Sequence, residues 1–251
     1  MNVRTRLKWL LFPGVNLHAR HRYRLLPAHF RAAPAGQVRR VLDAGCGNGM
    51  LAYKSHLLGN RVIGVTIKEN EVAGCRRLFN DHLAIPEEQL AFRLGNLYEL
   101  DFDEGSFDEI ICSEVLEHLR DDAGVCRSFW RFLRPGGLLH VCAPNAQHPY
   151  NASFPLDRHE TGGHVRAGYG LADYRQLLEP IGFEIDTVLG LGGPLRQAFN
   201  RRIKELQARF GAMAAGPLFL LSLPCLWFES RRRERAVPFS IYVRAVKRTR
   251  S

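Results

Sequence analysis

The 251-residue chain contains no Cys-x-x-Cys pair; its six cysteines stand singly at positions 46, 75, 112, 126, 142 and 225. Isolated thiols make neither a disulfide scaffold nor a zinc site, so reduced, buried cysteines in a cytoplasmic protein are expected, with no metal bound. No internal repeat or low-complexity tract occurs, and the length suits one α/β domain with elaborations. Two further absences concern charge. Residues 1–40 hold no Asp or Glu, and residues 210–228 hold no charge of either sign.

Charge is segregated along the chain. Residues 1–40 carry nine Lys and Arg, residues 196–251 carry thirteen against three Glu, and the stretch between them carries thirteen against twenty-two Asp and Glu. An acidic centre flanked by two basic arms suits an anionic membrane surface, an anionic substrate or nucleic acid. In the first arm, Trp9-Leu10-Leu11-Phe12 is too short for the core of a signal peptide and has no convincing cleavage site. Beside Arg4, Arg6 and Lys8 it reads either as an interfacial anchor or as a helix that caps the domain. Residues 18–31, with Arg20, Arg22, Tyr23 and Arg24, are expected to form a helix over the mouth of the site.

The uncharged stretch 210–228, as a helix, would reach about 28 Å, nearly a bilayer's apolar thickness. Pro217 and Pro224 are expected to break it into pieces. A crossing would also strand the alternating segment 239–246 on the wrong side of the membrane. A pocket wall, a dip into one leaflet and a dimer contact remain. Arg209 and Arg231–Arg233 at its ends, with Trp227 near the boundary, favour leaflet contact, hence peripheral association with the inner face of the membrane.

The chain is organised around Val41-Leu42-Asp43-Ala44-Gly45-Cys46-Gly47-Asn48-Gly49. Val38, Val41 and Leu42 read as a short buried strand, the glycines as a tight turn, and Leu51, Tyr53, Leu57 and Leu58 as one face of a helix. Glycines admit close backbone approach, and the helix start offers unpaired N–H groups to an anionic ligand end. A dinucleotide fingerprint would need its third glycine at position 50, which is Met. Strands are expected at 61–67, 90–96, 107–114 and 138–143, the last after a Pro135-Gly136-Gly137 turn, and helices at 69–83, 121–133 and 171–179. Such alternation argues a parallel sheet covered on both faces, with its ligand beyond the carboxyl ends of the strands.

The run Asp43-x-Gly45-x-Gly47-x-Gly49 resembles the first motif of class I S-adenosylmethionine-dependent methyltransferases of the small-molecule type. Gly95-Asn96-Leu97, the segment from Ser106-Phe107-Asp108 to Glu117-His118-Leu119, and Leu133-Arg134-Pro135-Gly136-Gly137 match later motifs in order. The resemblance covers roughly residues 38–190 and resumes at the last strand. It implies a doubly wound Rossmann-like sheet of seven strands, order 3-2-1-4-5-7-6 with the last strand antiparallel, and S-adenosyl-L-methionine as cofactor. Carried over by motif, the cofactor residues are Asp43, Gly45, Cys46, Gly47 and Gly49 at the turn, Asn96 and Leu97 at the adenine, and Ser113 and Glu114 after the fourth strand. The family's ribose-binding acid is replaced by Thr66, as in the branch that includes cyclopropane fatty acid synthases, with Glu71 where that branch uses Gln. Which of Thr66, Lys68 and Glu71 meets the ribose is left open.

The acceptor region is expected between residues 144 and 169, rich in His, Arg and Tyr. A hydroxyl acceptor must lose a proton, and a neutral His with pKa about 6.5 suits that task. His164 is the first candidate, followed by His118 and His159; His164 and Arg166 could equally serve to tie the loop down. The expected division is one methyltransferase domain: a basic arm 1–37, a cofactor core with acceptor loop 38–191, an apolar and basic insert 192–237, and a final strand 238–248. The expected function is methyl transfer to a small-molecule or lipid-linked acceptor at a membrane surface. Its rivals are cyclopropane-type lipid modification, an RNA or DNA methyltransferase, and a non-catalytic cofactor-binding protein; nucleic acid is disfavoured because no basic stretch with stacking aromatics flanks the methyl site.

Overall fold

The computed structural model describes residues 16–157, 159–229 and 237–248. The Trp9–Phe12 block and Arg231–Arg233 lie outside the described residues, as does the side chain of Trp227. In chain order the elements are α1 (Leu17–Leu25), β1 (Arg40–Ala44), α2 (Met50–His56), β2 (Arg61–Thr66), α3 (Glu69–Cys75), β3 (Leu90–Leu94), β4 (Phe107–Ser113), α4 (Asp122–Phe132), β5 (Leu133–Pro144), α5 (Leu171–Leu178), β6 (Phe183–Leu191), α6 (Pro194–Phe210), α7 (Gly216–Glu229) and β7 (Ser240–Lys247), with shorter helical turns between them.

The seven strands form one sheet in the order β3-β2-β1-β4-β5-β7-β6. Strands β1 to β5 pair in parallel, and β7 runs antiparallel between β5 and β6. This is the arrangement that the resemblance implied. Because β1 pairs with both β2 and β4, the strand order reverses at β1 and opens a crevice at the carboxyl ends of β1 and β4. The glycine turn and Glu114 stand on either side of that crevice.

Two apolar layers hold the sheet. Phe129 and Phe132 of α4 and Tyr174 of α5 cover one face, while Val72 of α3, Phe79 and Phe92 cover the other. In α4, Val125, Cys126, Phe129 and Phe132 are buried at helical spacing, and Asp121 caps the start by accepting from the Gly124 N–H at 2.7 Å. Each fully buried Phe contributes about 2–3 kcal/mol relative to exposure, so the α4 face alone outweighs its cap.

Several local expectations are corrected. Val38 is 60% exposed and precedes the strand, and Leu57 is 57% exposed rather than part of the α2 face. The expected turn at Pro135–Gly137 is absorbed into β5, where a register shift against β4 and a left-handed Gly136 (φ +71°) take up the extra residues. The helix expected over 69–83 is α-helical only to Cys75 and widens to π geometry over Arg76–His82. The uncharged stretch is in pieces as expected, a 3-10 turn over Ala212–Ala215 and then α7 with Pro217 in its first turn, where a missing N–H costs little; Pro224 does not break it further, since α7 continues through it. No helix among the described residues is long and apolar enough to cross a membrane.

α1, α6 and α7 form a separate helical layer. Leu17, Ile203, Ala215 and Phe219 make a small core of their own. His18 joins this layer to the sheet, pairing with Gln197 of α6 and stacking on Phe239 with ring centroids 4.1 Å apart.

Candidate functional site

The three glycines of the turn adopt left-handed backbone, with φ of +78°, +51° and +73° at Gly45, Gly47 and Gly49. Their surroundings differ. A Cβ on Gly45 would lie 2.3 Å from Val115, and one on Gly49 would strike the rings of Phe92 and Phe79 at 2.7 and 2.8 Å, so these two glycines allow protein to pack on protein. At Gly47 a Cβ would meet nothing within 4 Å, so the position is open space. The turn is held from below: the N–H groups of Gly45 and Cys46 both donate to the Val65 carbonyl at 2.8 Å.

Asp43, though grouped with the glycines by motif, is 2% exposed and accepts from the Ala52 N–H at 2.9 Å. Burial raises its carboxyl to about 7, against the lowering effect of that hydrogen bond. Its side chain therefore locks α2 to β1 from beneath the turn. Cys46 is buried at 8%.

At the end of β2, the Thr66 hydroxyl donates to Glu71 at 2.6 Å, and Lys68 lies 3.5 Å from the other Glu71 oxygen. Thr66 is 6% exposed, whereas the Glu71 and Lys68 side chains are 28% and 64% exposed. Thr66 thus aims Glu71, and Glu71 keeps an accessible carboxylate edge. After β3, Asn96 is half-buried and accepts from the Tyr98 N–H at 3.2 Å, while Leu97 is buried at 5%.

Beyond Ser113 at the end of β4, Glu114 is a non-glycine residue at φ +58°. Such a conformation is held by surrounding structure and is concentrated at functional positions. Its N–H donates to the Cys142 carbonyl at 2.7 Å, and its carboxylate pairs with Arg22 of α1 at 3.2 Å. One residue on, the Tyr23 hydroxyl donates to Asn48 in the glycine turn at 3.2 Å. Helix α1 therefore lies over the crevice, touching both of its rims.

Of the three candidate histidines, the structure brings two together. His118 and His164 meet edge to face with ring centroids 4.7 Å apart, and Phe154 packs on His164 at 5.0 Å. His159 is exposed and its backbone N–H donates to Asp157 at 2.8 Å. Burial and the neighbouring His118 pull the His164 imidazole below its ordinary value, leaving it neutral at physiological pH. Arg166 is a tie: it pairs with Asp122 and donates to the Leu119 and Arg120 carbonyls at 2.7 and 3.0 Å. A cavity of about 610 Å³ lined by Arg120, Leu156, Asp157, Val165 and Arg166 opens along this loop.

Two groups were not singled out by sequence reasoning. Arg22 was visible only as one of several basic residues, and nothing in its spacing marks it as the partner of Glu114. Glu117 reads as part of a motif that recurs whatever the substrate. Here it is 0% exposed, and burial, reinforced by the charge of Glu114, raises its carboxyl well above the usual range.

Residues 42–141 match the family of methyltransferase domains. A protein named as an S-adenosylmethionine-dependent methyltransferase from Mycolicibacterium smegmatis is 34% identical over 69% of this chain and 60% of its own length. A ubiquinone biosynthesis O-methyltransferase of Xanthomonas axonopodis is 34% identical over 53% of this chain and 54% of its own. The chain thus spans between half and two thirds of these relatives' length. A crystal structure of an S-adenosylmethionine-dependent methyltransferase from Mesorhizobium loti superposes with a TM-score of 0.60 at 21% identity, covering 92% of this chain and 99% of that one, which establishes the fold. Residues 42–141, which span the glycine turn, thus match a methyltransferase domain, and they lie on a sheet closed in the order 3-2-1-4-5-7-6, the fold shared with that crystal structure.

Proposed function

We propose that this protein transfers the methyl group of S-adenosylmethionine to a hydroxyl oxygen of a small acceptor with an apolar part, at an anionic membrane surface. The observation that carries the reading is the neutral His164 held against His118 on a loop over the crevice. The cofactor supplies a methyl group on a sulfonium, already a good leaving group, so the protein has mainly to align and to accept a proton.

The residues present fit that cofactor. Gly47 leaves open space where any side chain would intrude, Glu71 is aimed by Thr66 with an accessible edge for two hydroxyls, and Asn96 offers both donor and acceptor to an adenine edge. In this reading Glu71 rather than Lys68 holds the ribose, Leu97 and Cys46 supply apolar walls, and Asp43 acts through α2. Ser113 and Glu114 close the methionine end, with Arg22 orienting Glu114. His164 takes the acceptor proton as the oxygen attacks; His118, at its edge, is second in line, and His159 is a loop residue.

Two features support an apolar acceptor and a membrane site. α7 presents Leu220, Leu221 and Leu223 outward at 62%, 70% and 42% exposure. Exposed Arg201, Arg202, Lys204 and Arg209 of α6 lie beside it, and each basic residue near an anionic surface is worth about 1 kcal/mol. Relatives named for O-methylation in ubiquinone biosynthesis fit the same chemistry. The test is to incubate the protein with methyl-labelled S-adenosylmethionine and a membrane lipid extract. Label in an O-methyl group of an apolar product is expected; bound cofactor with no labelled product from lipid or aqueous extracts would overturn the reading.

A further inference from the structure

Beneath the histidine pair lies an unsatisfied carboxylate. Glu117 has no exposed surface, and neither of its side-chain oxygens has a hydrogen-bond partner beyond its own backbone N–H, although the charges of Arg22 and Arg166 act on it from a distance. Leaving a carboxyl group buried without partners costs several kcal/mol, charged or not, unless something positive or protic fills the gap. The facing group is His118, whose Nε2 stands 4.0 Å from Glu117 Oε1, beyond hydrogen-bond reach.

On the other side of the ring, His118 Nδ1 lies 2.9 Å from the Gly163 carbonyl, which can only accept, so Nδ1 donates there and Nε2 is the nitrogen turned toward Glu117. Glu117 Oε1 and His118 Nε2 stand 4.0 Å apart, wider than the separation of about 3.3 Å between two ligand atoms of a tetrahedral zinc with bonds of about 2.0 Å, so a small side-chain adjustment would bring both onto one ion. His164 supplies a third ligand atom, all three lying within 4.8 Å of one another. A backbone carbonyl on the far nitrogen of a ligating histidine is the usual outer-shell support of a metal site.

We propose that Glu117, His118 and His164 form a site for one divalent cation of the zinc class, with a remaining position open toward the acceptor loop. Two imidazoles and one carboxylate suit zinc, cobalt or nickel better than calcium or magnesium, which prefer all-oxygen sets. The set contains no cysteine, which is why the scattered thiols gave no hint of it. Its catalytic consequence, though not the binding itself, rests on the methyl-transfer reading: with the cation bound, an acceptor hydroxyl on the open position would lose its proton to water at neutral pH while His164 holds the cation, so that His164 acts as base only in the metal-free protein.

The test uses the full chain, stripped with chelator and titrated with Co²⁺. One equivalent is expected to bind with the visible absorption of a low-coordinate site and to be displaced by Zn²⁺. Glu117→Gln, His118→Ala and His164→Ala, each checked for an unchanged melting profile, should weaken binding by more than the 10–100-fold that outer-shell changes cost. His82→Ala, away from the site, should bind as wild type. If Co²⁺ and Zn²⁺ fail to bind, or bind the three variants as well as wild type, the site is refuted and Glu117 is a buried, protonated carboxyl. Stoichiometric binding without methyl transfer would support this site while removing the activity proposed above, so the two failures are distinguishable.

Discussion

The two rims of the crevice are built on opposite terms. On the β1–β2 side, polar groups are satisfied within the protein: Asp43 by the Ala52 N–H and Thr66 by Glu71, leaving a ready-made cradle. On the β4–β5 side, Glu114 sits in a left-handed conformation and the Glu117 carboxylate is buried with no partner beyond its own backbone N–H. A rim that needs nothing further is suited to hold a cofactor, and one that stores strain and unmet polar demand is suited to chemistry. The comparison predicts that substitutions on the first rim change affinity and those on the second change turnover.

The largest expected effect on the first rim is at its glycines, which should separate from one another. Gly47→Val should reduce S-adenosylmethionine affinity below detection by calorimetry while the protein still melts cooperatively: its Cβ meets nothing within 4 Å, so the stability cost is confined to the forced φ of +51°, about 1–2 kcal/mol. Gly49→Val should instead lower stability by at least about 3 kcal/mol, through contact with Phe79 and Phe92 and a forced φ of +73°. Equal affinity in Gly47→Val and wild type would break the assignment of this rim.

A smaller effect is expected where α1 bridges the rims. Arg22→Ala removes the partner of a Glu114 side chain that is 23% exposed, and should cost about 2 kcal/mol in denaturant unfolding, less than for a wholly buried pair. Arg22→Lys should restore only part of this, because a point charge does not reproduce the guanidinium geometry. No change in Arg22→Ala would show that α1 is held only by its apolar contacts.

The helical layer supplies a pH-dependent contrast with the sheet. Burial lowers the His18 imidazole to about 4. The folded pKa lies below the unfolded value of about 6.5, so its contribution is complete above that pH and is lost as pH falls toward 4, by about 3 kcal/mol. His18→Gln should flatten this part of the acid stability profile. An unchanged profile between pH 6.5 and 4 would mean that His18 does not carry the acid sensitivity.

The smallest effect on stability should come from α7. Leu220→Asp with Leu221→Asp replaces residues 62% and 70% exposed, so melting should shift by no more than a degree or two, while cosedimentation with anionic liposomes should be lost. Wild-type protein left in the supernatant at low salt would remove the membrane part of the reading.

How much of this was legible in the sequence depends on the range of the interaction. The glycine turn, the alternation of strands and helices, and the strand order implied by the motifs are local or motif-borne, and the sheet follows them closely. Val38 and Leu57 were misplaced because a periodic apolar residue at an element's end need not face the core. Pro224 was read as a helix breaker by local rules, yet the helix runs on through it. The site separates in the same way. Thr66 and Glu71 are five residues apart and their pairing could be anticipated, whereas Arg22–Glu114 and His118–His164 join distant segments that only the folded chain brings together. Burial of Glu117 with no partner beyond its own backbone is a property of packing and has no signature in residue type or spacing.

The division of labour between the rims is tested most directly by measuring S-adenosylmethionine affinity and single-turnover methyl transfer in parallel for Gly47→Val and His164→Ala. Gly47→Val should lose affinity; His164→Ala should bind the cofactor within about twofold of wild type and transfer the methyl group a hundredfold or more slowly. A His164→Ala protein that turns over normally, or that loses cofactor affinity and turnover together, would contradict the account.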